Sequence, residues 1–227
     1  MDILDFIRDH SKYIALAVGI AVGFPLMAVR RERLKISVGG AFLLSVSFTV
    51  LSLAATMLLA MIEALLSGET PSIGAVSVMG VYLFAAPAVF IATKLFRWKT
   101  EDAFDLYAIY ALPSLFLMRI NCLIAGCCLG RNIGSTGLRW PTREVELGVY
   151  TVLFFLLLLR EKDKTQRGTL FPFLMTVYGV FRFIIEWFRV GNGPSLLHWS
   201  HLWAVLIGIA GYVWYTELRS KTGKQRH

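Results

Sequence analysis

The chain has 227 residues, 56% of them hydrophobic and only 17% charged, and its mean hydropathy is +0.63. That composition excludes a soluble domain that must keep its whole surface in water. The formal net charge of +8 would suit a nucleic-acid binder, but in so apolar a chain a basic excess belongs to loops facing the cytoplasm, and no nucleic-acid partner is expected.

The first stretch, "MDILDFIRDHSKY", is acidic and mixed where a signal peptide would be basic, and the apolar run behind it ends in "RRERLK" without a small-residue cleavage site. The first hydrophobic segment is therefore expected to stay. Crossing the hydrocarbon takes about 20 apolar residues. Runs near that length fall at 13–29, 37–66, 73–95, 103–120, 145–159, 169–188 and 201–217. They predict an all-α polytopic integral membrane protein with about seven transmembrane helices, one membrane domain over residues 1–227, and a loop over 130–146 on its outer face.

The connections between the runs alternate in charge. "RRERLK" (30–35), "KLFRWK" (94–99), "REKDKTQR" (160–167) and "RSKTGKQR" (219–226) together hold fifteen of the 23 basic residues. By the positive-inside rule these four lie in the cytoplasm, with the amino terminus outside and the carboxyl terminus inside. Of the other eight basic residues, Arg8 and Lys12 sit in the amphipathic amino-terminal stretch. The remaining six are all arginine: Arg119, Arg131, Arg139, Arg143, Arg182 and Arg189.

At about 1.5 Å per residue, Arg119 lies roughly 24 Å along the fourth run and Arg182 roughly 20 Å along the sixth. Both reach outer-leaflet depth. A charge in hydrocarbon costs at least about 2.5 kcal/mol, so it is kept only if paired, snorkelled or used. In "RFIIEWFR" Arg182 and Glu186 share a helical face, with Arg189 a turn further on. A guanidinium fork fits phosphate oxygens. The competing readings are a structural ion pair between helices for Arg182 with Glu186, and simple snorkelling for Arg189. The loop "GRNIGSTGLRWPTREVE" (130–146) combines glycines, arginines and two glutamates, which suits a lipid-headgroup pocket or an ordinary loop over anionic lipid.

Four stretches, "RINCLIAGCCLGR", "WPTREVEL", "YGVFRFIIEWFR" and "HLWAVLIGIAG", occur in the order and spacing that resemble the prolipoprotein diacylglyceryl transferase family, in particular its shorter Gly-Cys-Cys branch. The likeness covers roughly residues 75–217 and the earlier part in outline. It implies a multi-pass enzyme of the bacterial cell membrane that moves the diacylglyceryl group of phosphatidylglycerol, or a related anionic phospholipid, to a lipobox cysteine thiol of a prolipoprotein. Under that resemblance Arg119 and Arg182 are the functional pair, and Tyr13, Asn121, Gly130, Arg131, Arg143, Glu146, Glu186 and Arg189 bind the phospholipid. Pro141 matches the loop motif's proline. The small turn Gly126, Cys127, Cys128 would let the backbone approach a phosphate faced by Arg119 and Arg131.

The chain also departs from the family pattern. Where the family places a histidine with glycines in its third span, this chain reads "SVMGVY", with Met79 and Gly80 nearest. Cys122, Ala125 and Cys127 replace two asparagines and an acidic residue, while Trp140, Arg143 and Val145 replace histidine, glutamine and tyrosine. His198 and His201 are candidate replacement bases, or solvated loop histidines. Cys127 and Cys128 read either as nucleophiles with thiols lowered by nearby arginines or as small thiols packed at a helix end. Three cysteines cannot all pair, and with no Cys-x-x-Cys or histidine cluster neither metal nor cofactor is expected. Three functions stay open: the family transferase, a relative that uses the same lipid with another acceptor, and a phospholipid-binding protein without turnover.

Overall fold

The computed structural model describes residues 3–68, 70, 75–126, 128–189 and 199–224. Among them are eight α-helices: α1 Ile3–Arg30, α2 Val38–Leu66, α3 Gly80–Leu83, α4 Ala85–Leu95, α5 Thr100–Ala125, α6 Thr142–Lys162, α7 Leu170–Glu186 and α8 Trp199–Lys224. The all-α expectation holds among the described residues. By length and apolarity Val38–Leu66 and Thr100–Ile124 can each cross a membrane, and Gly80–Leu95 is a shorter apolar stretch. Large apolar side chains such as Leu43, Val50, Phe155, Leu159 and Ile209 are exposed on the outside of α2, α6 and α8. A contiguous surface of that kind suits lipid rather than water.

The expected run 73–95 is not one helix. Residues 75–79 form a non-helical approach, α3 lasts one turn, and Phe84 separates it from α4. Pro87 lacks the N–H that would bond the carbonyl of Leu83, so the helix breaks where that bond would have been. Gly80 is pressed against α2, where a Cβ would come within 2.6 Å of the Ala55 carbonyl carbon. The Ser77 amide donates to the Thr56 carbonyl at 2.9 Å, which fastens the approach segment along α2.

Helix α5 is the hub. Along Ala103–Leu112 it is almost wholly buried, and it packs against α1, α6, α7, α4 and α2. Its first turn carries Glu101 and Asp102, which favour the positive end of the helix dipole. It stops at Gly126, whose φ of 67° supplies the left-handed residue that commonly ends a helix. An aromatic column fills the interior beside it: Tyr82 stacks on Tyr178 at 4.5 Å, and Phe171 meets Phe104 at 5.1 Å and Tyr107 at 5.7 Å.

The basic connections 30–35 and 160–167 meet at the start of α5. Arg30 binds Glu161 at 2.7 Å, Arg33 bridges Asp102, Asp105 and Glu161 at 3.0 Å each, and Arg167 reaches Asp102 at 2.7 Å. Arg160 adds a 2.9 Å bond to Tyr215 of α8. Asp105 also accepts the Gly168 and Leu170 amides at 2.7 and 3.0 Å, which satisfies the first exposed donors of α7. The arginine-rich loop 128–141 lies at the opposite end of α5.

Candidate active site

Near the carboxyl end of α5, three helices bring together an alternating chain of charges. Arg119 of α5 pairs through Nε with Oε2 of Glu146 from α6. The other oxygen of Glu146 accepts from Arg182 Nη1 of α7 at 3.1 Å. Arg182 Nη2 meets Glu186 at 2.7 Å, and Arg189 approaches the same carboxylate at 3.6 Å. Tyr150, one turn along α6, donates its hydroxyl to Glu146 at 3.0 Å. Arg119, Glu146, Arg182 and Glu186 are 3%, 1%, 6% and 4% exposed, so they are buried ions that mutual pairing makes tolerable. Arg182 and Glu186 do form the i,i+4 pair that "RFIIE" suggests.

The charges face a cavity of about 380 Å³. Arg119, Arg182, Glu186 and Arg189 line it from α5 and α7, with Cys122 and Cys128, and Glu63 with residues 76–79 lines it from α2 and the approach to α3. Three arginines and two glutamates make up this network, and Glu63 is a third carboxylate on the same cavity. Arg182 Nε is buried without a hydrogen-bond acceptor among the described residues. A cavity with these properties can hold a singly charged phosphodiester and direct donors at its oxygens.

Other residues singled out from the sequence take different places. Glu146 sits behind the two arginines, holding them, and does not line the cavity. Arg131 is exposed and ties the loop to the end of α7, its Nε donating to the Arg189 carbonyl at 3.0 Å and its amide to the Phe188 carbonyl at 2.8 Å. Gly130 bridges to Arg189. A Cβ there would come within 2.8 Å of the Trp140 carbonyl carbon, so only glycine admits the strand of loop crossing it. Trp140 in turn packs on Phe188 at 4.7 Å. Arg143 reaches the Cys122 carbonyl at 3.5 Å and Glu144 at 3.7 Å. Asn121 is half-buried on α5, and Tyr13 is 72% exposed on α1; neither belongs to the cavity lining. Cys128 lines the cavity with a left-handed φ of 58°. His201 packs edge-on against Trp187 and Phe183 away from the lining. Cys127 and His198 lie outside the described residues.

Glu63 was not among the sequence candidates. In "AMIEALL" it is a lone acid near the end of a long apolar run, which reads as an interfacial charge. The fold gives it a partner, Ser77, whose hydroxyl donates to Oε1 at 3.1 Å.

The chain matches the family model described as prolipoprotein diacylglyceryl transferase over residues 13–216. It is similar to phosphatidylglycerol–prolipoprotein diacylglyceryl transferase 2 of Clostridium perfringens, with 26% identity over 171 residues, covering 65% of this chain and 64% of that protein. The protein called phosphatidylglycerol–prolipoprotein diacylglyceryl transferase in Clostridium tetani is 28% identical over 156 residues, covering 58% of this chain and 61% of that one. The chain thus spans a little under two thirds of the length of these curated relatives. Since the matched region runs from the first helix into the last and contains the whole charge network, the chain belongs to the prolipoprotein diacylglyceryl transferase family.

Proposed function

We propose that this chain transfers the diacylglyceryl group of phosphatidylglycerol to the cysteine thiol of a prolipoprotein. The acceptor sulfur attacks the glyceryl carbon that carries the phosphate, a C–S bond forms, the C–O bond breaks, and glycerol phosphate leaves with the electron pair. The observation that carries this reading is that Arg119 and Arg182, from two helices, face one cavity while sharing the carboxylate of Glu146.

That arrangement suits the charge change of the reaction. The phosphodiester begins with one negative charge, and the departing phosphomonoester approaches two. Guanidinium donors fixed in a water-poor site favour the state in which that second charge develops, which is the condition for lowering a barrier. Glu146 keeps both guanidiniums from swinging out to meet the lipid, so they need no reorganisation during the step. The enzyme acts on the outer leaflet of the bacterial cell membrane as a seven-span protein, amino terminus outside and carboxyl terminus inside. Tyr13, Asn121, Gly130, Arg131 and Arg143 have the supporting part of shaping the approach of the lipid around the pair.

The test is mass spectrometry of purified protein with phosphatidylglycerol and a lipobox peptide, following both the peptide mass and glycerol phosphate. A diacylglyceryl adduct with stoichiometric glycerol phosphate is the expected result. Glycerol phosphate without the adduct would point to another acceptor, and neither product would leave only lipid binding. Arg119→Ala and Arg182→Ala are each expected to lower turnover by about 10²–10³-fold or more while the protein stays membrane-inserted. Full activity in both variants would sink the arginine cradle.

A further inference from the structure

The cationic wall answers for the leaving group, and the incoming nucleophile sets a second requirement. A thiol with a pKa near 8.5 is only a few per cent ionised at neutral pH, while the thiolate is the species that attacks. A proton acceptor must therefore face the same cavity as the arginines.

We propose that Glu63 takes the proton of the acceptor thiol, an inference that rests on the transferase reading. Two carboxylates line the cavity among its described residues, Glu63 and Glu186. Glu186 is already engaged by Arg182 and Arg189 at 2.7 and 3.6 Å. Glu63 stands on another element, near the end of α2, and its Oε1 accepts from the Ser77 hydroxyl at 3.1 Å. Ser77 is itself anchored through its amide to Thr56 at 2.9 Å, so the carboxylate is oriented by a fixed neighbour. Val76, Val78 and Met79 add an apolar patch to that wall beside Ser67 and Ser77. Such a patch accepts a cysteine side chain and disfavours a hydrated ion.

The residue at position 79 is a methionine, which cannot accept a proton at working pH. The nearest titratable group on that wall is Glu63, reached through Ser77 two residues away. The other charged groups lining the cavity are Arg119 from α5 and Arg182, Glu186 and Arg189 from α7, with Cys122 and Cys128. The geometry divides the labour: the thiol proton passes to Glu63, and the sulfur moves toward the phosphate-bearing carbon held at the arginines. As the C–S bond forms and the C–O bond breaks, the glycerol phosphate carries away the electron pair. The proton on Glu63 then leaves with it or with water, and the carboxylate is restored.

The test compares wild type, Glu63→Gln and Glu63→Asp in the purified full chain, using phosphatidylglycerol in mixed micelles and a lipobox peptide, from pH 6 to 9.5. Glu63→Gln is expected to lower kcat by about 10²–10⁴-fold with little change in KM for either substrate. Its rate should climb with pH toward the thiol pKa, while the wild-type rate stays flatter, and Glu63→Asp should restore part of the loss. Phosphatidylglycerol binding and thermal unfolding of Glu63→Gln should match wild type. A Glu63→Gln rate equal to wild type at every pH would overturn the role of Glu63 and leave the transferase reading intact. Loss of lipid binding together with a lowered Tm in that variant would mark Glu63 as structural and equally overturn the role. No adduct from wild type would overturn both readings.

Discussion

A carboxylate that is 1% exposed and shared between two guanidiniums, as Glu146 is, neutralises charges that could not be buried alone. Removing one member of such a network leaves an uncompensated buried ion, which typically costs about 3–5 kcal/mol. Glu146→Gln keeps the size and an acceptor oxygen but takes away the charge, so Arg119 and Arg182 would repel each other without a carboxylate between them. Both a clear fall in Tm in detergent and loss of glycerol phosphate release are expected, whereas Tyr150→Phe, which deletes one 3.0 Å bond, should cost only about 1 kcal/mol. A Glu146→Gln variant as stable as wild type would show that the arginines are solvated rather than held. The arginines themselves are legible in the sequence, because a cation inside an apolar run stands out whatever the fold. Glu146 is legible as a motif position, and its bridging role depends on α6 crossing between α5 and α7. Glu63 is hidden, because its significance comes from a non-helical segment folding back along α2, and local periodicity carries no trace of that contact.

At the level of helices, two apolar partners in lipid gain little from hydrophobic burial, and close packing of small residues takes over. Helices α7 and α8 approach at Gly179 and Gly208: a Cβ on Gly179 would lie 2.6 Å from the Gly208 Cα, while one on Gly208 would meet Gly179 Cα at an ordinary 3.7 Å. The two glycines are therefore inequivalent. Gly208→Ala should be neutral or raise stability by up to about 1 kcal/mol through helix propensity, and Gly179→Ala should lower it and pull Arg182, one turn on, out of register with Glu146. Thermal unfolding of the two variants checks the order, and equal shifts would mean the helices part easily. The break in the third apolar run has a comparable local cause, Pro87, and the sequence shows the proline plainly. What it does not show is that the broken half is used to build a cavity wall, since a proline inside a transmembrane run is just as compatible with a kink. The fifth run, 145–159, is short by hydropathy alone; α6 covers Thr142–Lys162 by including charged residues at both ends that a hydropathy reading leaves out.

Across the whole molecule, two buried charge networks lie at different heights on α5. Asp105 and Arg119 are fourteen residues apart in one helix, or about 21 Å along its axis, against a hydrocarbon thickness of about 30 Å. With the Asp105 network at one interface, the Arg119 network falls some 9 Å short of the other, deep enough to exclude bulk water and shallow enough for a headgroup phosphate to reach. The two networks differ in what they can do. At the first, burial pushes the Arg33 guanidinium down while Asp105 and Asp102 push it further up, so that it stays protonated. Its partners are fully spent on one another and on the amino end of α7, which makes it a lock. The second faces an open cavity with three arginines, and the Nε of Arg182 has no acceptor among the described residues. The lock joins the basic connections 30–35 and 160–167, so in the orientation proposed above it faces the cytoplasm and the cavity faces out. Alkaline phosphatase, which needs disulfides and so an oxidising compartment, should be active when inserted at the exposed loop tip Ser135–Thr136 and inactive when fused after the last residue. The reverse pattern would invert the protein in the membrane, put the arginine cavity on the cytoplasmic leaflet, and leave an exported cysteine substrate without access to it.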